Sequence, residues 1–151
     1  MKKFADSVAL LVITVWVGGL WGIGYVAVPV LFQTLPDKML AGMLAGKMFT
    51  LIACIGIACA CYLLVYQLGI SGKAALRQPA FLAVIAMLIL TIISQFGIQP
   101  VMADLKAQAL PADVMHSEFA DRFRMLHGIA SIAYLVQSLL GAMLVLKMRR
   151  C

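Results

Sequence analysis

Charge is scarce in this chain. Only 12% of its 151 residues are Asp, Glu, Lys or Arg, and just 6 are acidic. Ordinary soluble domains carry about 25% charged residues. At 64% apolar residues, a chain this short has no soluble packing that would hide them all. Histidine is scarcer still, with two. There is no phosphate-cradling Gly-rich loop, no Gly-x-Ser-x-Gly elbow and no His-Glu-x-x-His pair, so the familiar enzyme signatures are missing. The acids fall in loops and near the termini, which argues against a transporter built on a carboxylate in mid-membrane. Four cysteines are present. Cys54, Cys59 and Cys61 share one apolar stretch and Cys151 ends a basic tail, which is no disulfide framework. Cys59 and Cys61 point to different faces of a helix and do not form a chelating pair.

What is present is hydrocarbon. Four apolar stretches run over residues 7–35, 44–68, 79–102 and 126–146. Each exceeds the ~20 residues that carry an α-helix across a ~30 Å hydrocarbon core. The expected fold is all-α: an integral membrane four-helix transmembrane bundle, one domain over residues 1–151. Met1-Lys2-Lys3 looks like the start of a secretory signal. The run behind it is far longer than a signal core of about 7–15 residues, so it reads as a retained span. The net charge of +6 reflects basic residues at span ends, where they answer anionic lipid rather than nucleic acid. One side of the membrane holds Lys2, Lys3, Lys73, Arg77, Lys147, Arg149 and Arg150 with Asp6. The other holds Lys38, Lys47, Lys106, Arg122 and Arg124 with Asp37, Asp104, Asp113, Glu118 and Asp121. This bias predicts both termini on the cytoplasmic side.

Punctuation along the chain refines this picture. Gly18 and Gly22 share a helix face, as do Gly42 and Gly46, and Gly56 adds another small position; all five are expected to serve helix packing. Pro29 predicts a kink and Pro36 a helix end just before it. Gln78-Pro79 opens the third span, which is expected to close at Gln95–Pro100. Pro111-Ala112-Asp113 predicts a helix start that runs into the fourth span. Val114, Phe119, Phe123 and Leu126 would form its apolar stripe.

Polar side chains gather toward the outer end: Lys47, Gln95, Gln99, Arg124, His127 and Tyr25. Two readings fit them. In one they line a ligand-binding pocket centred on His127. In the other the cations snorkel to head groups and His127 caps a backbone carbonyl. Met39 and Met43 share a face on the same side as His116 and His127, and thioether with imidazole is a donor set suited to copper.

Trp16-Val17-Gly18-Gly19, Pro29-Val30-Leu31-Phe32, Ala41-Gly42, Gly46, Phe49, Gln99-Pro100 and Phe123–Gly128 resemble, in order and spacing, the bacterial membrane family called domain of unknown function 4149 (DUF4149). More remotely such four-span domains are similar to copper-resistance D and HemJ-type membrane proteins. The resemblance implies a bacterial inner membrane, an antiparallel bundle and a link to copper or haem. It implies no established activity. Among the matching positions, Gln99 and His127 alone carry side chains suited to ligation. A haem held by two histidines would need a second one at membrane depth, and His116 lies in a loop. Three functions follow as expectations: handling a metal ion or small cationic solute at the outer face, serving as a structural or assembly partner of itself or another membrane protein, or haem- or quinone-linked oxidoreduction.

Overall fold

A computed structural model describes residues 2–110 and 112–148. Pro111 of the expected helix start and Arg149, Arg150 and Cys151 of the basic tail lie outside the described residues. Within them all regular structure is helical: α1 (Lys2–Trp21), α2 (Val28–Thr34), α3 (Lys38–Ser71), α4 (Pro79–Ile92), α5 (Gln99–Ala109) and α6 (Ala120–Met148). Two π-turns, Gly22–Ala27 and Ile93–Ile98, join α1 to α2 and α4 to α5 without a break. The result is four helices long and apolar enough to cross a membrane: Lys3–Thr34, Lys38–Arg77, Pro79–Ala109 and Ala120–Lys147. They are spans 1 to 4 below.

Spans 1 and 3 each pack on spans 2 and 4, so consecutive spans are neighbours and spans 1 and 3 lie diagonally. Short connections between neighbours make the bundle run up and down. One end, here distal, carries residues 35–37, 110 and 112–119. The other carries the start of α1, the end of α6 and residues 72–78. At 34 residues α3 is about 50 Å long, well beyond a ~30 Å hydrocarbon layer, so it tilts or projects.

Each boundary has a chemical cause. Leu35 is extended (φ −84°, ψ 126°) because Pro36 follows. Asp37 caps α3, its Oδ1 accepting from Met39 N at 2.8 Å and Leu40 N at 3.1 Å. Lys38 folds back to donate to the Phe32 and Leu35 carbonyls at 2.5 and 3.1 Å, closing the end of α2. Gly72 ends α3 with φ 54°, a conformation glycine adopts without strain. Near the chain start the Tyr66 hydroxyl donates to Asp6, tying span 2 to span 1.

Two expectations at the distal end are corrected. Span 3 does not close at Pro100. The proline lacks an N–H and its ring crowds the carbonyl four residues back, and the π-turn relieves that clash so the helix continues to Ala109. Pro29 is passed in the same way, by the π-turn that precedes it. Nor does a helix run unbroken from Asp113. Asp113 accepts from Met115 N at 2.8 Å and starts a short 3-10 turn, Val114–His116. Ser117 is then extended (φ −106°, ψ 170°), and α6 begins at Ala120, still ahead of the apolar stretch. Leu105, Ala109 and Val114 are buried here with Phe119, Phe123 and Leu126 packed on them.

The main core joins Ile13, Trp16 and Leu20 to Ile52, Ala60, Leu63, Val84, Met87 and Leu144. Lipid tails are as apolar as these residues, so close packing rather than water exclusion holds the spans together. Trp16 is wholly buried with its indole edge over Gly56, where a Cβ would come within 2.5 Å of Nε1. Gly19 and Gly141 similarly admit Ile52 and Val17. Of the other glycines assigned to packing, Gly42 lies under Lys106 and Phe32, whereas a Cβ at Gly18, Gly22 or Gly46 would meet nothing within 4 Å. Those three are not close-approach positions within this chain. Gly56→Ala should therefore destabilise the bundle by about 1–3 kcal/mol. Gly18→Ala should stay within about 0.5 kcal/mol, both read from unfolding in mixed micelles.

Candidate functional site

Polar side chains in lipid must find partners inside the protein. Here they form a belt of hydrogen bonds between spans at the level of the two π-turns. The Tyr134 hydroxyl of span 4 donates to the Leu20 carbonyl of span 1 at 2.6 Å. In an uninterrupted α-helix that carbonyl would accept from Gly24 N. The Tyr134 oxygen also lies against the Gly24 backbone, at the start of the π-turn. Gly24 makes room: a Cβ there would sit 2.8 Å from the phenolic oxygen. Phe49 of span 2 meets the Tyr134 ring edge-on at 5.3 Å, so this tyrosine of span 4 touches spans 1 and 2.

The belt continues on both sides. Tyr25 donates to Ser138 Oγ at 3.1 Å, and Ser138 Oγ donates to the Tyr134 carbonyl at 2.9 Å. Between spans 4 and 3, Gln137 Nε2 donates to Thr91 Oγ1 at 2.8 Å, and Thr91 donates to Met87 O at 2.8 Å. Gln137, Thr91 and Ser138 are all buried. Between spans 3 and 2, Gln95 Nε2 donates to Thr50 Oγ1 at 3.2 Å. An open hollow of about 350 Å³ lies beside the belt on the lipid-facing side of spans 1 and 4, lined by Trp21, Tyr25, Leu135, Ser138 and Leu139.

Among the described residues, no hydrogen bond joins the His127 side chain to the other residues singled out from the sequence. Tyr25 and Gln95 join the belt at different joints. Gln99 is partly buried on α5, and Lys47 is exposed on α3. Arg124 pairs with Asp121 at 3.3 Å on the exposed surface, a contact worth little. His127 is exposed and lies parallel to the Phe123 ring at 6.0 Å. His116 is exposed at the end of the 3-10 turn. Met39 and Met43 line a separate distal hollow of about 180 Å³ with Asp37 and Leu40. Among the described residues no three His, Cys, Asp or Glu side chains are placed to hold a metal ion.

The same geometry sets the family comparison in context. Residues 11–111 match the family described as Domain of unknown function (DUF4149). This chain belongs to the DUF4149 family. The match takes in Gly24, Pro29, Thr91, Gln95 and Pro100, hence both π-turns, and stops before span 4. Tyr134, Gln137 and Ser138, which close the belt in this DUF4149 protein, lie beyond it. No curated protein and no solved structure matches the chain.

Sequence reasoning passed over Thr50, Thr91, Gln137 and Ser138. Gln137-Ser138 in the middle of an apolar stretch was the available signal, since an amide at that depth requires a partner. Two outcomes check the belt. Tyr134→Phe should cost about 1 kcal/mol of bundle stability. Thr91→Val and Gln137→Leu should be non-additive, with a coupling of about 0.5–2 kcal/mol in a double-mutant cycle.

Proposed function

We propose that this protein is a non-enzymatic assembly component of a bacterial inner membrane, with both chain ends in the cytoplasm. It packs against itself or another membrane protein. One observation carries the reading. The belt's Tyr25, Thr91, Tyr134, Gln137 and Ser138 are engaged across the bundle, and a Cβ at Gly18 or Gly22 on span 1 would meet nothing of this chain within 4 Å. Small residues let a second helix approach closely, which is how helices associate in lipid. The charge distribution supports the sidedness.

The test is the size of the protein extracted from native membranes in mild detergent. An assembly larger than the monomer is expected, falling to monomer in Gly18→Leu while the fold is retained. A monomeric parent protein removes the proposal. A second reading, handling of a metal ion or small cationic solute, is favoured by the hollow that sets Met39 and Met43 beside Asp37 at the distal end. It expects copper(I) binding that weakens at least tenfold in Met39→Leu/Met43→Leu. Equal binding by variant and parent rejects it.

A further inference from the structure

Long basic side chains at a span end ordinarily stretch outward to water. Lys106 on α5 reaches across the bundle instead. Its Nζ donates to the Gly42 carbonyl of span 2 at 3.3 Å and stands 5.4 Å from the centre of the Phe123 ring of span 4. The side chain is partly buried. An ammonium has three donors, and one carbonyl takes one of them. Among the described residues no carboxylate comes within 4.0 Å of it; the ion pair at this end is Arg124 with Asp121. Asp113 acts on Lys106 only through space, and its Oδ1 is engaged by the Met115 amide. A cation drawn partly out of water, with a carbonyl and an aromatic ring as its contacts, is stabilised when an anion joins it. At the surface of a bilayer the oxyanion that lipid head groups present is phosphate.

We propose that Lys106, steadied by Gly42 and Phe123, is a phosphate-binding site at the distal end, filled by the head-group phosphate of a bilayer lipid or by inorganic phosphate. The carbonyl and the ring fix where the amine stands. Its two remaining N–H groups face the oxyanion as a point charge. The site joins spans 2, 3 and 4, so an occupied site clamps the distal end.

The full-length protein is titrated with phosphatidylglycerol, read by native mass spectrometry, and separately with inorganic phosphate, read by phosphorus NMR. Lys106→Gln keeps a donor for the Gly42 carbonyl and removes the charge. It should bind about tenfold more weakly, whereas Lys106→Arg retains binding and Arg122→Gln is unchanged. Loss confined to the lipid titration assigns a head group; loss confined to the inorganic titration assigns free phosphate. In the unmutated protein either ligand should slow acetylation of Lys106 several-fold, a readout independent of how any variant folds. Parent-like binding of both ligands by Lys106→Gln, an equal loss in Arg122→Gln, or acetylation indifferent to both ligands overturns the proposal.

Discussion

The hydroxyl of Tyr134 bonds to a backbone carbonyl of another helix, and much of the bundle depends on that contact. Between Leu20 and Gly24 the backbone would bond to itself. Here a side chain from span 4 reaches the same carbonyl, donating to Leu20 O at 2.6 Å. Three conditions must hold together. Residue 24 must lack a side chain, span 1 must widen into a π-turn, and the phenol must come from a helix packed at that level. Lipid offers no substitute for a missing partner, so an error in any of them leaves a bare backbone group in hydrocarbon.

The other joints follow the same rule. Thr91, Gln95, Gln137 and Ser138 bond across span boundaries and fix relative rotation and depth where apolar contacts alone permit sliding. Spans 1 and 2 are joined by Trp16 lying over Gly56 and, near the chain start, by Tyr66 donating to Asp6. In a bundle without a strong hydrophobic driving force between helices, these few directional contacts and close approaches specify the register.

The sequence revealed the four spans, because length and apolar content suffice to mark a crossing. It also revealed the helix end before Pro36 and the start at Pro79, where the chemistry is local. It misread Gln95–Pro100 as an ending, because a π-turn is a cooperative response of two or more turns and leaves no fixed residue code. It also merged the Asp113 turn with α6, missing that Ser117 stays extended. The outer polar residues do not share a partner: Tyr25 turns to Ser138 and Gln95 to Thr50, and periodicity along one helix says nothing about what stands opposite.

The π-turns bear on what can lie alongside spans 1 and 3. Each inserts one residue beyond an α-helical turn, so every side chain past it is rotated by about 100° from the phase of the preceding segment. The stripe that either helix presents to its surroundings is therefore broken into two offset halves. A straight neighbour can follow the stripe of α1 or that of α2, and must bend or part company between them.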